Sequence, residues 1–572
     1  MFGIGRRKAE EGFSIHTRAA AIERMRREVF DMLVIGGGIT GAAIARDAAM
    51  RGLAVALLEK ADFAFGTSSR SSKMVHGGLR YLKSGHVRLV REALHERGIL
   101  LRLAPHLVHP VSFLFPVYET GEDSRLKLRL GLTAYDMLAG SERLTRHTSL
   151  SREKAAEAEP LLRYEGLQGA FRFTDCLVND ARLTLATVRS AVGSGAVAIN
   201  YAPVISLQRD GERVSGASFR DLMSGKEHLV RARVVVNATG PWADSLRAMV
   251  GEPPMLRPTK GVHIVVPRAR LPVSGTIVIP SDDRRMLFVV PAGECTYAGT
   301  TDTDYRIDPA LARTDSEDAA YLLRAVNALF PETRLSPTDI VAAWAGVRPL
   351  VAEEGAPTPS DVSRDYDIAI GPPGFYSIAG GKLTTCRAMA QGLVDRVIEE
   401  EGRRFGWQTK PPRTATVPLV GGNIDGFERY RRGLMPALEE SWGLQPRIAH
   451  RLLRSYGTEY VRVLAYASRH PALMRPLSPT CPVLRAEALY AAEEEMALTL
   501  EDFMARRTDL MLFHPTHGLD AAPEAARLMG SVLGWGWRER RRQVKRYRES
   551  VAQMTSFLRN RPESQPEAGG QR

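Results

Sequence analysis

The sequence predicts a mixed fold in which an α/β part comes first, a strand-rich part follows and an α-helical part ends the chain. Residues 31–60 contain an apolar run, a glycine turn, an Ala-rich helical stretch and a second apolar run, which is typical of a strand–helix–strand unit with parallel strands. Several short β-like segments lie within residues 232–304. Residues 424–558 show mostly helical periodicity. We therefore expect α/β and α+β layers followed by a separate helical domain.

The glycine turn predicts a dinucleotide site. Gly36, Gly38 and Gly41 form G-x-G-x-x-G directly after the first apolar run, and Glu59 ends the second run. In such a unit the glycines allow a tight turn, close approach of a pyrophosphate and close helix packing, and the acid binds a ribose. The helix N-terminus favours the phosphates through its free N–H groups. The alternative is a glycine-rich turn that binds nothing.

Composition sets wider limits. The chain has 572 residues, a net charge of +13 and four cysteines without a C-x-x-C pair. This length predicts two to four domains, and the scattered cysteines suit a reducing cytosol and indicate neither disulfides nor zinc. No apolar stretch reaches the roughly 18 residues of a membrane span, and the N-terminus lacks the apolar core of a signal peptide. The positive charge allows an acidic small molecule, an anionic membrane or a nucleic acid as partner.

Two later segments have little apolar periodicity. Residues 65–82, FGTSSRSSKMVHGGLRYL, are rich in hydroxyls and glycines, which suits a loop lying against a polar ligand; a solvated loop is the alternative. Residues 374–390 repeat the order strand, double glycine and helix, so a ligand can again approach a helix N-terminus. An acidic cluster at Asp302, Asp304 and Asp308 is not an EF-hand, because no glycine stands at the required position.

The motifs together resemble a known family. The pieces IGGGITGAAIARDAAMRGL, GTSSRSSKMVHGGLRYL, VVNATGPWAD, KGVHIVVP, GTTDTDY, AGVRPL, SRDY and GGKLTT occur in this order. The chain is similar to the FAD-dependent glycerol-3-phosphate dehydrogenase family, of the glycine oxidase and D-amino-acid oxidase type of flavoproteins, over about residues 31–545. HGGLRYL with GVRPL and GGKLTT is far more specific than the glycine turn.

The resemblance implies a Rossmann-like FAD domain interleaved with a substrate domain that has an antiparallel sheet, plus the C-terminal α-helical domain. The expected boundaries follow in chain order: a basic N-terminal extension 1–30, an FAD-dependent oxidoreductase part 31–400, a linker 401–423, a helical domain 424–558 and a disordered tail 559–572. Within 31–400 we expect the FAD part at 31–110, 180–260 and 341–400, and the substrate part at 111–179 and 261–340.

The resemblance also implies the reaction, which is oxidation of sn-glycerol 3-phosphate to dihydroxyacetone phosphate by hydride transfer to FAD, with electrons passed to membrane quinone. The site residues carried over are, for catalysis, His263, Arg348 and Lys382; for the substrate, Arg80, Tyr81, His263, Arg348, Arg364 and Lys382; and for FAD, Gly36, Gly38, Gly41, Glu59, Thr67, Ser68, Ser72, His76, Gly240, Gly381, Lys382, Leu383 and Thr384. No metal is expected.

The residue chemistry agrees with these roles. A phosphate near an apolar flavin requires fixed cations. His263 is the candidate base, because a group with a pKa near neutrality suits that step; the alternatives are a structural histidine, or an arginine that polarises the oxygen while water takes the proton. Arg70 has two interpretations, contact with an FAD phosphate or exposure to solvent, and we leave it outside the site.

A predicted helix near each end of the chain is a candidate for contact with a membrane. Ser14 is expected to cap a helix that either packs on the body or lies on a membrane. Residues 535–558 combine a basic face, an apolar stripe and two tryptophans, which fits an anionic membrane surface or a docked helix. The membrane alternative makes quinone the acceptor and the enzyme cytoplasmic and peripheral on the inner face of the cell membrane. Otherwise oxygen serves and the protein is an oxidase.

Two alternative functions each require features that differ from those of this sequence. A related FAD-dependent 2-hydroxy acid or amino-acid oxidoreductase would need a carboxylate clamp and fewer separate cations. A flavoprotein that binds tRNA would need a basic face and reactive cysteines, and no cysteine here lies in such a motif. We therefore expect no nucleic-acid partner. The oligomeric state stays open, with a homodimer as the one assembly considered.

Overall fold

The structure is a computed structural model that describes residues 12–83, 85–119, 124–280, 286–352 and 365–559. Its strands in chain order are β1 Val29–Ile35, β2 Val55–Leu58, β3 Met74–Val75, β4 Val108–Tyr118, β5 Thr148–Leu150, β6 Leu167–Val178, β7 Val197–Ile199, β8 Val204–Asp210, β9 Arg213–Arg220, β10 Glu227–Asn237, β11 Leu256–Pro267, β12 Thr276–Pro280, β13 Met286–Ala292, β14 Cys295–Gly299, β15 Thr303–Asp304, β16 Ala342–Val351, β17 Tyr366–Ile370 and β18 Phe375–Gly380.

The helices are α1 Arg18–Arg27, α2 Ile39–Met50, α3 Arg80–Lys83, α4 Val87–Leu103, α5 Arg125–Ala139, α6 Arg152–Ala158, α7 Asp180–Gly193, α8 Ala243–Ala248, α9 Ser316–Leu329, α10 Cys386–Phe405, α11 Phe427–Glu440, α12 Pro446–Tyr456, α13 Tyr460–Arg469, α14 Arg485–Glu494, α15 Leu510–Phe513, α16 Ala522–Leu533 and α17 Trp537–Met554. A π-helix spans Asp502–Arg507, and short 3-10 turns include Ile15–Thr17, Thr67–Ser69 and Leu383–Thr385.

The first sheet has eight strands and is parallel at its centre. Its main order is β17-β18-β10-β1-β2-β7, and β9 and β8 extend it antiparallel from β10. The central strands are continuous apolar runs because both faces are covered. On one face α2, α7 and α10 pack together, with Val34, Ala45, Val188 and Leu393 in one buried cluster. The glycine turn therefore lies at the carboxyl end of the central strand, where such sheets bind ligands.

The second sheet has ten strands and is antiparallel apart from the β12–β4 pair. Its main order is β15-β11-β14-β13-β12-β4-β6-β3, with β16 beside β11 and β5 beside β6. Helix α9 covers part of one face, where Leu322 and Val326 pack with Val262 and Val289. This sheet places β11 and β16 beside the turn of the first sheet.

Two strands differ from the boundaries that the resemblance implied. β16 pairs with β11 from Leu256↔Val351 to Val265↔Ala342, so the start of the expected segment 341–400 belongs to the second sheet. β3 pairs with β6 and therefore also belongs to the second sheet, although it lies within 31–110, which was expected to be part of the FAD domain. In addition, α10 runs on to Phe405, so the expected linker 401–423 begins inside a helix.

The N-terminal helix packs on the body, as one of its two interpretations predicted. The Ser14 side chain accepts a hydrogen bond from the His16 backbone N–H and caps the 3-10 turn before α1. Met25 of α1 is fully buried against the first sheet, and Arg18 pairs with buried Asp221 at 2.8 Å. Val29, two residues after the end of α1, begins β1 and is exposed.

The C-terminal basic helix is docked on the helical domain. Tyr547 and Val551 of α17 are buried in its core, with Val544 and Met554 packed beside them. The apolar stripe therefore faces protein, as the docked-helix interpretation predicted. Within the described residues, no helix combines the length and apolar character needed to cross a bilayer.

Candidate active site

A continuous cavity of about 500 Å³ runs from the glycine turn of the first sheet to β11 and β16 of the second. Most of the predicted site residues line it: Gly36, Gly38, Glu59, Thr67, Ser68, Ser72, His76, Arg80, Tyr81, Gly240, His263, Arg348, Gly381, Lys382, Leu383 and Thr384. Gly41 lies beneath the turn instead, and Arg364 lies outside the described residues. Segments more than 300 residues apart in sequence thus meet in one place.

The glycine turn is closed to side chains. Gly36 has φ +112°, and a Cβ there would lie 2.4 Å from the Ala238 carbonyl oxygen. A Cβ on Gly41 would lie 1.9 Å from the Gly36 carbonyl oxygen, so both positions require glycine. The N-terminus of α2 opens into the cavity, where Ser68 Oγ accepts a hydrogen bond from Ile39 N–H at 2.9 Å. This cradle suits a pyrophosphate.

Glu59 holds the turn from the side. Its carboxylate accepts hydrogen bonds from Gly37 N–H at 2.6 Å and Ala61 N–H at 2.9 Å. Burial raises the pKa of this carboxyl, and the two N–H groups act in the opposite direction. The lining of the same cavity includes Pro203 and Trp242.

The hydroxyl-rich loop is tied to both sheets. Thr67 Oγ1 donates to the Val347 carbonyl at 2.5 Å, and His76 N–H donates to Thr384 Oγ1 at 3.2 Å. Burial lowers the pKa of His76 to about 4, with Lys382 among the nearby cations that add to this effect. His76 is therefore a neutral wall residue near pH 7, and the loop is a structured ligand wall rather than a solvated segment.

The predicted substrate cations within the described residues lie in two places of the cavity lining, at Tyr81 and at the turn after β14. Lys382 Nζ lies 3.7 Å from the centre of the Tyr81 ring, and the Arg80 guanidinium carbon lies 5.3 Å from it. Arg348 is held by the turn after β14, because Nη1 donates to Asp302 Oδ1 at 3.0 Å and Nη2 donates to Thr300 Oγ1 at 3.1 Å. The guanidinium is thereby fixed in one orientation.

Sequence reasoning missed Asp302, which it considered only as part of a calcium cluster. In the structure the three acids separate: Asp302 binds Arg348, Asp304 binds Arg257, and Asp308 accepts from Trp242 Nε1. The single indication in the sequence was the position of Asp302 within GTTDTDY, one of the motifs of the resemblance. A tertiary contact between two strands could not be read from that motif alone.

His263 lies on β11 with its ring stacked on Trp344, at 4.6 Å between centroids and 8° between planes. Its Nε2 lies 2.9 Å from Ser72 Oγ, while Nδ1 is buried without a hydrogen-bond partner among the described residues. Burial holds the pKa of His263 well below its usual range, and Arg348 and Lys73 lower it further. The imidazole is therefore neutral and lines the cavity with Ser72, but its pKa is not near neutrality, in contrast to the expectation from the sequence, so it is a weaker base.

Two further groups line the cavity without having been predicted. Phe113, Phe115, Phe173 and Phe288 form an apolar wall, which the alternating apolar pattern of their strands could only mark as core. Arg70 also lines the cavity and lies 5.2 Å from the Phe65 ring, and burial lowers its pKa to about 10. Of its two interpretations, free exposure to solvent does not match this position.

Comparison with known proteins now adds the family. Residues 31–396 match the model of the FAD dependent oxidoreductase family, and residues 412–540 match that of the C-terminal domain of alpha-glycerophosphate oxidase. Glycerol-3-phosphate dehydrogenase 2 of Mycobacterium tuberculosis (strain ATCC 25618 / H37Rv) is 41% identical over 539 residues, covering 93% of this chain and 90% of the relative. The chain belongs to the FAD-dependent glycerol-3-phosphate dehydrogenase family.

Other members of the glycerol-3-phosphate dehydrogenase family also match this chain over most of its length. The aerobic glycerol-3-phosphate dehydrogenase of Bacillus subtilis (strain 168) is 38% identical and covers 88% of this chain and 91% of its own. The solved glycerol-3-phosphate dehydrogenase of Bacillus halodurans, a complex with FAD, aligns with a TM-score of 0.79 at 33% identity over 95% of this chain and 98% of that one. FAD is the cofactor of the family, and the glycine cradle and Glu59 fit its adenosine diphosphate half.

Proposed function

We propose that this protein oxidises sn-glycerol 3-phosphate to dihydroxyacetone phosphate and passes the electrons to a membrane quinone. The observation that carries this proposal is that Arg80, Arg348, Lys382 and His263, from four separate segments, line the same cavity as the glycine turn. The names of the relatives support the substrate. FAD, when bound, accepts the hydride from C2 of the substrate.

The cations are assigned to the substrate phosphate and oxygen atoms. A phosphate buried without opposite charge is prohibitively costly, and planar guanidinium groups match its oxygens in pairs. Arg348 is held ready by Asp302 and Thr300, so little ordering is needed when the substrate arrives. Arg364 keeps the same proposed role on the strength of its motif. Tyr81 completes the wall beneath Lys382.

The hydroxyl proton of the substrate is assigned to His263. Loss of a hydride from C2 forms a carbonyl only if the oxygen also loses its proton, so a neutral acceptor must be near. Ser72 and His263 both line the cavity and Ser72 Oγ lies 2.9 Å from Nε2, so the Ser72 hydroxyl can take the substrate proton while it gives its own to Nε2. In total the substrate loses one hydride, which FAD would accept, and one proton, which His263 would accept. The alternative is polarisation by an arginine with water as the proton acceptor.

Anaerobic mixing tests the substrate. We expect the yellow protein to bleach on addition of glycerol 3-phosphate, because two electrons enter the flavin, and turnover to be faster than with 2-hydroxyglutarate or glycine. Absorbance in the visible range and kcat/KM on the three compounds are the measurements. A colour that persists, or equal turnover of the three, contradicts the proposal and favours a 2-hydroxy acid or amino-acid oxidoreductase.

The electron acceptor has one competing candidate. The helical domain matches a family model described for alpha-glycerophosphate oxidase, which favours oxygen as an alternative. After anaerobic bleaching, we expect a soluble quinone analogue to restore the yellow colour much faster than dissolved oxygen does. Fast recovery in air with peroxide formed in equal amount would instead identify an oxidase.

A membrane contact is proposed on helix α5 rather than on α17. On its outer face Leu126, Leu130 and Met137 are 67%, 61% and 75% exposed, and the basic side chains of Lys127 and Arg129 lie between them. The charge and the apolar stripe are complementary to an anionic bilayer surface. The inner face of α5 packs against Leu79 and Tyr81, so this contact lies close to the segment that carries the substrate residues.

Vesicle binding tests this contact. We expect Leu126→Glu with Leu130→Glu to weaken binding to vesicles containing anionic lipid by about tenfold, since two apolar anchors become charged. Co-sedimentation measures the bound fraction. The matched control is Arg541→Glu with Lys545→Glu on the exposed side of α17. If the control loses binding and the α5 variant keeps it, the contact belongs to α17.

A further inference from the structure

One of the buried contacts between the helical domain and the nucleotide-binding half is made to Asp62. Arg506 and Arg507 of the π-helix both bind Asp62, which follows β2. Arg507 donates through Nη1 to Oδ2 at 2.8 Å and through Nη2 to Oδ1 at 2.9 Å, and Arg506 donates through Nε to Oδ2 at 2.6 Å. The Asp62 side chain is fully buried and that of Arg507 is 1% exposed. Such a contact is a fixed joint between two parts of the chain.

The joint is fully ionic and well supplied with hydrogen bonds. Burial alone would raise the pKa of Asp62, but Arg507 and Arg506 lower it, so the carboxylate stays charged. Arg506 also donates to Asp502 Oδ1 at 2.5 Å, and Asp502 accepts from Tyr201 O–H at 2.7 Å. Removing one member would leave a buried charge uncompensated, so the position of Asp62 is strongly determined.

Asp62 lies in the loop that grips the glycine turn. Glu59, at the start of this loop, accepts the hydrogen bond of Gly37 N–H, and Ala64 N–H donates to the Gly37 carbonyl at 3.1 Å. Ala64 has a backbone φ of +65°, which a residue other than glycine adopts only when its surroundings impose it. The loop 59–65 thus needs anchors outside itself. Backbone hydrogen bonds with Ile199 and Tyr201 hold its start, and the two arginines of the helical domain hold Asp62 in its middle.

We propose that Arg506 and Arg507 are positioning residues for FAD: through Asp62 they hold the loop 59–65, and with it Glu59 and the glycine turn, in the shape that binds the adenosine diphosphate end. The helical domain then contributes to the affinity for FAD indirectly, because its π-helix acts through the loop 59–65. This role concerns the cofactor alone and stands whether or not the proposed substrate and acceptor are correct. It also accounts for the position of the Arg506–Arg507 pair beside β2.

Binding of ADP separates this role from a general structural one. Arg507→Lys keeps the charge but loses the paired geometry of the guanidinium. We expect the FAD-free variant to bind ADP and FAD each about tenfold more weakly than the parent protein, which corresponds to about 1.4 kcal/mol of binding free energy. Calorimetry with ADP and quenching of flavin fluorescence measure the two dissociation constants. Asp62→Asn, which removes the acceptor charge, serves where Arg507→Lys fails to fold.

The matched control is Arg451→Lys. Arg451 of α12 binds buried Glu487 of α14 inside the helical domain, away from the loop 59–65. We expect this control to lower the melting temperature of the FAD-free protein as Arg507→Lys does, but to leave the dissociation constant of ADP unchanged. Unchanged ADP binding in Arg507→Lys and in Asp62→Asn, or equal weakening in the control, overturns the proposal.

Discussion

Arg348→Ala is expected to lower kcat/KM for glycerol 3-phosphate by about 10³-fold while the protein keeps its FAD. Truncating one partner of a buried charged hydrogen bond costs about 4 kcal/mol, and each 1.36 kcal/mol is a factor of ten in rate. We expect the FAD content to stay unchanged, because Arg348 is anchored by Asp302 and Thr300, whereas the adenosine diphosphate half of FAD fits the glycine turn and Glu59. Steady-state kinetics and the flavin absorbance of the purified variant measure the two effects.

The structure supplies a control for Arg348→Ala on the same strand pair. Arg257 of β11 also forms a two-point contact with an aspartate, Asp304, at 2.9 and 3.0 Å, but this pair is partly exposed and outside the cavity lining. Arg257→Ala should change kcat/KM by less than about threefold, since exposed ion pairs contribute little. Loss of FAD in Arg348→Ala, or equal losses in both variants, would mean that the role of Arg348 is wrongly assigned.

Much of the site was predictable because its parts are local in sequence. Gly36, Gly41 and Glu59 follow one another within a single strand–helix–strand unit, so their spacing alone fixes a turn that only glycine can form. The residues His76, Arg80 and Lys382 were placed by motif resemblance, and the structure puts all three on one cavity wall. Their chemical roles remain predictions.

What escaped prediction depends on contacts between distant segments. The Asp302 carboxylate fixes Arg348 only because the turn after β14 folds back onto β16, and neither segment carries that information alone. The apolar stripe of α17 has the same periodicity whether protein or lipid covers it, so its docking through Tyr547 had to be seen in the structure. The same holds for Arg507 and Asp62, which lie 445 residues apart.

His263→Asn is expected to lower kcat by about 10² to 10³-fold, the contribution typical of a positioned base. The wild-type enzyme should also show no loss of kcat as the pH falls from 8 to about 6, since a base with its pKa well below the usual histidine value stays neutral over that range. Protonation, and with it the loss of activity, should come only at lower pH. The rate constant kcat is the quantity to follow, because phosphate ionisation near pH 6 alters substrate binding and so affects kcat/KM.

Two further variants separate proton transfer by His263 from its stacking: Ser72→Ala tests the proton transfer and Trp344→Phe tests the stacking. If the Ser72 hydroxyl carries the proton to Nε2, its removal should lower kcat nearly as much as His263→Asn does. Trp344→Phe keeps a ring stacked on the imidazole and should change kcat by less than about tenfold. If His263→Asn and Ser72→Ala both retain kcat within about threefold, His263 contributes far less than a general base supplies, and the proton goes to water beside an arginine instead. A histidine held neutral by burial and stacked on tryptophan would then serve the packing of β11 against β16, and the arginines of the cavity would carry the chemistry.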